Sequence, residues 1–180
     1  MPFNLTEFRS NLVGSGTRPN LFQIELQFPP AAIDNEAARL VTFLAEASSL
    51  PADYVGVIPV AYFGRELKYP GDRRFEPWYI QVINDENFKI RDAFERWMNT
   101  LNQHVANLRS PAAAIPRGYC VDAVVKQYAK IGGEPIKEYT MTGAWPSNVS
   151  SIDLAWESVD TLERFMVTFQ YQWWTSNTTT

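Results

Sequence analysis

Apolar residues along much of this chain alternate with polar ones, which is the pattern of β-strands that bury one face and expose the other. The clearest run is residues 22–28, where phenylalanine, isoleucine and leucine alternate with glutamine and glutamate. The longest run, residues 162–174, predicts a strand whose core face carries Phe165, Val167, Phe169, Tyr171 and Trp173. We therefore predict that β-structure dominates the fold.

Other alternating or apolar runs predict further strands at residues 41–47, 61–69, 75–83, 119–131, 136–141 and 152–156. We expect residues 41–47 to pair antiparallel with residues 22–28. The residues Gly71-Asp72-Arg73 have turn chemistry, so the strands on either side of them are expected to form a hairpin. The pair Gly132-Gly133 predicts a second hairpin. Residues 56–60 contain Pro59, which cannot donate to a ladder, and are predicted to be an edge or a protruding extended segment.

One stretch repeats at helical spacing instead. Its apolar stripe consists of Ile90, Phe94, Trp97, Leu101 and Val105. Asn84 or Asp85 is predicted to cap a helix of about 16 to 20 residues that ends before Pro111. On its polar side, Arg91 with Glu95 and Asp92 with Arg96 have the spacing of i,i+4 ion pairs. The Ala/Pro-rich residues that follow, 111–118, are expected to form a surface linker.

Together these elements predict a mainly β (α+β) fold, an antiparallel β-sandwich or barrel with one long amphipathic helix packed on it. A chain of 180 residues fits one domain, so residues 1–180 are expected to form a single unit. Residues 1–17 are predicted to be an N-terminal arm and residues 175–180 a flexible tail. No segment approaches the ~20 apolar residues of a membrane span or has the pattern of a signal peptide, so no membrane association is expected.

Composition narrows the possible functions. The formal net charge of −4 leaves no basic field that would attract nucleic acid to the surface. The single cysteine, Cys120, excludes an intramolecular disulfide and a multi-cysteine metal site, and is expected to be a small buried strand residue. The only histidine, His104, is expected at a helix end or on the surface. We therefore predict no catalytic, cofactor-binding or metal-binding residue.

Two patterns leave another class of function open. Asp122, Glu134, Glu138, Asp153 and Glu157 could supply the carboxylate pair of a glycosidase, although carboxylates that alternate on strands usually form a solvated face. The six tryptophans could form a sugar-binding platform, but Trp78, Trp97 and Trp173 fall on predicted core stripes. The alternative from this class is a monomeric carbohydrate-binding or hydrolytic sandwich.

Five short segments, in order along the chain, carry a resemblance to a known family. They are Arg18-Pro19-Asn20-Leu21-Phe22, Leu50-Pro51 followed by Ile58-Pro59-Val60, Pro70-Gly71-Asp72-Arg73 with Trp78, Asn84-Asp85-Glu86, and Gly143-Ala144-Trp145-Pro146-Ser147-Asn148-Val149. With these segments the chain resembles the tail tube proteins of contractile-tailed, T4-type bacteriophages, from about residue 18 to residue 174. The connection at residues 29–39, the Ala/Pro stretch and the Thr-rich tail depart from the family pattern.

The resemblance implies a structural virion protein. Its subunits would form hexameric rings that stack into a hollow inner tail tube, within a sheath and joined to a baseplate. DNA and a tape-measure protein would pass through the lumen without specific binding, and assembly would take place in the host cytoplasm. A secretion-system tube protein and a baseplate tube initiator are the nearest alternatives.

Several residues are candidates for contacts between subunits or for the family motif. They are Arg18, Pro19, Asn20, Leu50, Pro51, Asp53, Gly71, Asp72, Arg73, Arg91, Glu95, Arg96, Trp145 and Pro146. We expect residues 48–64 and the N-terminal arm to make contacts between rings, with a tip at residues 53–56. The charged helix face with Arg91, Glu95 and Arg96 is expected to meet a neighbouring subunit or the sheath, and the lumen wall is expected to carry an excess of carboxylates.

Overall fold

The computed structural model describes residues 4–12, 14 and 16–179. Within them the helices are α1 (Leu5–Asn11), α2 (Asn35–Leu44), α3 (Lys89–Leu101) and α4 (Pro116–Tyr119). The strands are β1 (Phe22–Leu26), β2 (Ala45–Ser48), β3 (Asp53–Tyr62), β4 (Arg65–Phe75), β5 (Trp78–Ile83), β6 (Val121–Tyr128), β7 (Pro135–Val149), β8 (Arg164–Gln170) and β9 (Trp173–Ser176).

The strands form two separate antiparallel sheets. The larger, seven-stranded sheet has the order β1-β6-β7-β8-β5-β2, and β9 also pairs with β7. The smaller sheet contains only β3 and β4. The mainly β, antiparallel fold predicted from the alternation is confirmed.

Strand β7 lies inside the larger sheet and pairs with three other strands. Its first part, up to Ala144, pairs with β6 and β9, whereas residues from Trp145 onward pair with β8. The change of partner falls just after Gly143, which has φ +68 and whose amide donates to Asp122 Oδ1 at 3.0 Å. A residue with a Cβ would be strained at this φ. The sequence predicted a corner at residues 143–146; the chain stays in strand conformation there and changes neighbours instead.

The core lies between α3 and the larger sheet. Ile90, Phe94 and Trp97 of α3 are fully buried, as the helical spacing predicted. The ring of Phe94 lies 5.1 Å from that of Phe28 and 5.9 Å from that of Phe169. Burying the indole requires a partner for its N–H, and Trp97 Nε1 donates to the carbonyl oxygen of Tyr119 at 2.8 Å.

The helix α3 is shorter than predicted. It begins at Lys89 and ends at Leu101, so Val105 is fully exposed and is not part of the stripe. The N-cap is Phe88, which has a left-handed backbone, while the predicted cap Asp85 accepts only a long hydrogen bond, 3.4 Å, from the amide of Lys89. At the other end the backbone of Asn102 is extended, which stops the helix before His104.

The strand predicted at residues 41–47 is wrong for residues 41–44, and only residues 45–47 lie in a strand. Residues Asn35–Leu44 form α2 because Asp34 Oδ1 accepts from the amide of Ala37 at 2.9 Å, which satisfies a free helix donor. The helix passes directly into β2, whose partner is β5 rather than β1. The predicted long amphipathic helix is α3, and α2 is a further helix that the sequence pattern did not predict.

The hairpin predicted across Gly71 is wrong as well. Gly71 lies inside β4, and the turn of the hairpin is at Phe63–Gly64, between β3 and β4. Residues 61–69 thus span the turn, and the predicted tip at residues 53–56 belongs to the base of the hairpin.

The structure also differs from the predictions at residues 111–120, 152–156 and 173–176. Residues 152–156 form no strand, and Trp173 is half exposed because the chain breaks the alternation at Gln172 to enter β9. Thr175 and Ser176, predicted as flexible tail, pair with β7 in β9. The predicted linker contains a 3-10 turn, Pro111–Ala113, and α4, with Ala113 buried; Cys120 is half-buried just before β6.

Replacing Trp97 with alanine tests the aromatic core. We expect Trp97→Ala to lower the free energy of unfolding by about 3 to 5 kcal/mol, because it leaves a cavity among the rings and removes the hydrogen bond to Tyr119. Urea unfolding followed by circular dichroism measures the change. Phe43→Ala, on the exposed side of α2, is the control and should change stability little. Equal effects of the two substitutions would contradict this account of the core.

Candidate functional site

The described residues offer no cluster of ionisable side chains suited to metal binding. In the described part of the chain, no three His, Cys, Asp or Glu side chains are grouped so that they could hold a metal ion. His104 is exposed beyond the end of α3. No helix among the same residues is long and apolar enough to cross a membrane.

The β3–β4 hairpin exposes a face of large apolar side chains. Beyond its base, Ile58 pairs with Tyr69, Val60 with Leu67 and Tyr62 with Arg65, and partners directly across a ladder point to the same face. The opposite face pairs Val57 with Pro70, Pro59 with Lys68 and Ala61 with Glu66. Tyr62 is 63% exposed, and Phe63 at the tip is 91% exposed.

This hairpin lacks the support that such a structure normally needs. Among the described residues its strands pair only with each other. A hairpin of two strands is only marginally stable in water unless its apolar face packs against something. The face of Ile58, Val60, Tyr62, Leu67 and Tyr69, here called the hairpin face, is therefore an unfilled packing surface.

Two glycines face each other within the hairpin. The register places Gly71 and Asp72 of β4 opposite the single residue Gly56 of β3, which makes a β-bulge. A Cβ at Gly71 would lie 3.2 Å from the carbonyl oxygen of Gly56, closer than ordinary contact. Gly71 is therefore used for a close approach of two strands rather than for a turn. Asp72, a predicted candidate, is exposed beside it.

The base of the hairpin is fixed to the core. Arg73 Nη1 lies 3.1 Å from Asp53 Oδ2, so these two candidates form an ion pair. The carbonyl oxygen of Ala52 accepts from the amide of Glu76 at 3.0 Å and from the hydroxyl of Tyr171 at 3.4 Å. Burial, together with the carboxylates of Asp53 and Glu76, raises the pKa of Tyr171 to about 12.

Two of the sequence motifs meet at the open ends of the larger sheet. Pro19 and Leu50 line one cavity with Phe22, Ser48, Ser49, Val125 and Gln127, between the outer strands β1 and β2. The carbonyl oxygen of Arg18 accepts from Gln127 Nε2 at 3.4 Å, while Asn20 is exposed and Pro51 is buried. The motif residues thus lie beside β1 and β2, the strands at the two ends of the larger sheet.

The polar side of α3 is only partly available for contacts. Arg91 Nε donates to Glu95 Oε1 at 2.9 Å, which confirms that predicted pair, and Arg91 Nη1 donates to the carbonyl oxygen of Ser150 at 3.1 Å. The predicted pair of Asp92 with Arg96 is wrong: Arg96 donates to Asp34 Oδ2 at 2.6 Å and so ties α3 to the start of α2. Both arginines are therefore engaged within the subunit.

Trp145 and Pro146 have structural positions. Both lie in β7, where they pair with Gln170 and Phe169 of β8, and Pro146 is buried. These two candidates stabilise the change of partner along β7 and do not form an exposed site.

The outer face of β1, β6 and β7 is a polar wall. Lys126 Nζ lies 2.7 Å from Glu25 Oε1, and this hydrogen bond raises the pKa of Lys126. Lys126 lies opposite Glu138 in the ladder, and the hydroxyl of Tyr128 donates to Gln23 Oε1 at 2.8 Å. Here the polar wall means Gln23, Glu25, Lys126, Tyr128 and Glu138. Two of these side chains are acidic and one is basic.

The fold agrees with what comparison with known proteins finds. The sequence matches the family described as phage tail tube protein over residues 17–177. This chain belongs to the phage tail tube family. The resemblance found in the sequence motifs is confirmed, although the motif residues serve mainly the hairpin base, the sheet edges and β7.

Individual relatives cover nearly the whole chain. The tail tube protein gp19 of Enterobacteria phage T4 is 32% identical over 161 residues, covering 89% of this chain and 92% of that protein. The tail tube protein of Serratia phage KSP90 is 31% identical over 169 residues, or 93% of both chains. A chain of the PVC sheath-tube complex, from an extracellular contractile injection system in the extended state, has a TM-score of 0.63 at 12% identity and covers 97% of this chain and 99% of that chain. At that identity the likeness concerns the fold alone.

Sequence reasoning missed the hairpin face as one surface. The signal was present, since Ile58, Val60 and Tyr62 alternate with Pro59 and Ala61. Placing the turn at Gly71 separated these residues from Leu67 and Tyr69, which share their face.

The raised pKa of Tyr171 predicts a pH effect at the hairpin base. A phenol whose folded-state pKa lies above the ordinary value of about 10 binds its proton more tightly in the folded state, so its stabilisation is complete below pH ~10 and is lost as the pH rises towards about 12. We expect Tyr171→Phe to reduce the loss of stability between these two pH values. Urea unfolding at several alkaline pH values measures this, with the exposed Tyr69→Phe as the control. If the free energy of unfolding falls with pH as steeply in Tyr171→Phe as in the unaltered chain, the prediction is contradicted.

Proposed function

We propose that copies of this chain form hexameric rings that stack into the hollow inner tube of a phage tail. The tube lies inside a contractile sheath, joins a baseplate, and passes DNA and a tape-measure protein through its bore. The chain is a structural component of the virion, assembles in the host cytoplasm and catalyses no reaction. The observation that carries this proposal is the hairpin face, which has no partner among the described residues of its own subunit.

The open edges of the larger sheet support ring formation. β1 and β2 end the strand order, and among the described residues each pairs with a strand on one side only. Unpaired amides at a sheet edge are satisfied when a neighbouring chain adds a strand or covers the edge. In a closed ring every subunit offers and receives the same contact, so each edge gains a partner.

Stacking of rings needs a second, different contact. A contact between two unlike surfaces of identical subunits extends into a filament when it does not close on itself. The hairpin projects from the larger sheet with its own apolar face and is suited to cross from one ring to the next. This keeps the role expected for residues 48–64, with the contacting part moved from residues 53–56 to residues 58–69.

The polar wall is suited to line the bore. Lysine or arginine facing passing DNA would make salt-dependent contacts with each phosphate and would slow its movement. On the polar wall the one lysine is held by Glu25 and faces Glu138, so its charge is neutralised locally. DNA can therefore move past this face without binding to it.

Shortening the hairpin separates ring formation from stacking. We expect a variant in which residues 58–70 are replaced by Asn-Gly-Thr to form rings but no tubes, because Asn-Gly makes a two-residue turn and the threonine in place of Pro70 supplies the amide that closes it on Val57. The reason is that the base, with its bulge and the Asp53–Arg73 pair, stays while the apolar face is lost. Negative-stain microscopy with mass measurement provides the test.

The control is Ile131→Ser, in the loop between β6 and β7. It removes an apolar side chain about as exposed as Phe63 at the hairpin tip and should leave tubes intact. Tubes of normal length from the shortened variant would contradict the role of the hairpin. A strict monomer of the unaltered chain that binds glycans would instead favour the monomeric sandwich. Tubes found only as a short baseplate cap or as secreted rings would favour the initiator or secretion-tube alternatives.

Reversing a charge on the polar wall tests the bore. We expect unaltered tubes not to bind short duplex DNA at physiological salt, and Glu138→Lys tubes to bind it with an affinity that falls steeply as salt is raised. Co-sedimentation of a fluorescent duplex measures binding. Glu86→Lys, in the turn before α3 on the helix side of the sheet, is the matched control. Equal binding by unaltered and Glu138→Lys tubes would contradict the assignment of this face to the bore.

A further inference from the structure

The long connection between β7 and β8 is a second exposed apolar surface. Residues 151–163, here called the receiving loop, contain no helix or strand. Four large apolar side chains stand out from it into solvent: Leu154, Trp156, Val159 and Leu162. Trp156 is fully exposed and Leu154 is 79% exposed. Large side chains grouped in this way are typical of an interaction surface rather than of ordinary solvent-facing residues.

The receiving loop and the hairpin are attached to opposite ends of the same two strands. In the β5–β8 ladder, Trp78 pairs with Phe169 at one end and Ile83 with Arg164 at the other. The hairpin base meets the first end, where the hydroxyl of Tyr171 donates to the carbonyl oxygen of Ala52. The receiving loop meets the second end, where the amide of Asn84 donates to the carbonyl oxygen of Glu163 at 2.9 Å. A strand of this length spans roughly 20 Å.

The two surfaces also carry opposite charge. The receiving loop contains Asp153, Glu157, Asp160 and Glu163 and no basic residue. Strand β4 contains four basic residues, Arg65, Lys68, Arg73 and Arg74, against the two acidic residues Glu66 and Asp72. Of these basic residues, Arg73 is already paired with Asp53, which leaves Arg65 and Lys68 near the exposed part of the hairpin.

We propose that the receiving loop of one copy is the docking surface for the β3–β4 hairpin of the next copy along the tube. The hairpin face packs on the four apolar side chains of the loop. Arg65 lies on that face and approaches the loop's carboxylates, and Lys68, whose long side chain starts from the opposite face of the same strand, adds positive charge beside them. Because the two surfaces lie at opposite ends of one sheet, each copy that receives a hairpin presents its own at the far end. The contact therefore repeats along the axis without closing. This inference rests on the proposed tube and names the surface that the stacking contact uses.

Paired charge reversals test the docking directly. The loop variant is Glu157→Lys with Asp160→Lys, and the hairpin variant is Arg65→Glu with Lys68→Glu. Each variant alone brings like charges together, so we expect its critical concentration for stacking to rise at least about tenfold. Mixed in equal amounts, the two variants should stack again, because each loop then meets a hairpin of opposite charge. Sedimentation and negative-stain microscopy measure the stacked fraction.

The control carries the same change of charge elsewhere. Glu86→Lys with Glu134→Lys alters two exposed carboxylates outside both surfaces and should stack like the unaltered chain. If the unaltered chain forms no tubes, the proposed function fails and the inference fails with it. If the unaltered chain stacks and the loop variant stacks at the same concentration, or the mixture stacks no better than either variant alone, only the docking inference is overturned.

Cross-linking provides a measurement that does not depend on charge. In a Cys120→Ser background, chains carrying Phe63→Cys are mixed with chains carrying Trp156→Cys, and a short thiol-specific linker is added. We expect a cross-linked dimer from the mixture and far less from either chain alone. Cysteine at Ile131 in place of Trp156 is the control, and an equal dimer yield from it would overturn the docking assignment.

Discussion

Strand β7 changes its pairing partners part-way along its length, and the arrangement of the rest of the subunit depends on where this change occurs. β7 pairs with β6 and β9 over its first part and with β8 over its last part. The transition requires a residue that accepts positive φ, and Gly143 supplies it while its amide is held by Asp122. Because β8 then pairs with β5, this one transition sets the position of both attachment points, the hairpin base and the receiving loop.

The aromatic core provides rigidity on the opposite side of the sheet. Phe94 and Trp97 of α3 pack against Phe28 and Phe169, and their rings meet at the tilted and edge-on angles that aromatic pairs prefer. Arg96 joins α3 to the cap of α2, and Ala37, Ala38 and Val41 of α2 are buried in the same core.

The sequence predicted best those elements whose pattern was long and local. Two patterns predicted the buried side chains correctly: the apolar stripe from Ile90 to Trp97, and the alternation of Phe165, Val167 and Phe169. They did so because an element that buries one face has apolar residues at a regular spacing. Residues 41–47 were misjudged because Val41, Thr42 and Phe43 favour strands in isolation, whereas the Asp34 cap and the burial of Ala37, Ala38 and Val41 on one side decide for a helix.

The misplaced hairpin had a different cause. A glycine followed by aspartate is the usual signal of a turn, but Gly71 is required by the close approach of Gly56 across a bulge. That contact depends on the register of two strands, which a local pattern does not contain. The surfaces proposed for assembly were hard to foresee for a related reason, since the hairpin face and the receiving loop each combine residues whose common orientation is set by the register and by the ends of β5 and β8.

The prolines of the hairpin have a further consequence for the life of the free subunit. Pro59 and Pro70 each remove one amide donor from strands that are otherwise exposed and rich in β-forming residues. Without such interruptions, long apolar strands with free edges would pair with one another in any order and build fibrils. The two prolines therefore lower the tendency of the free subunit to form such fibrils.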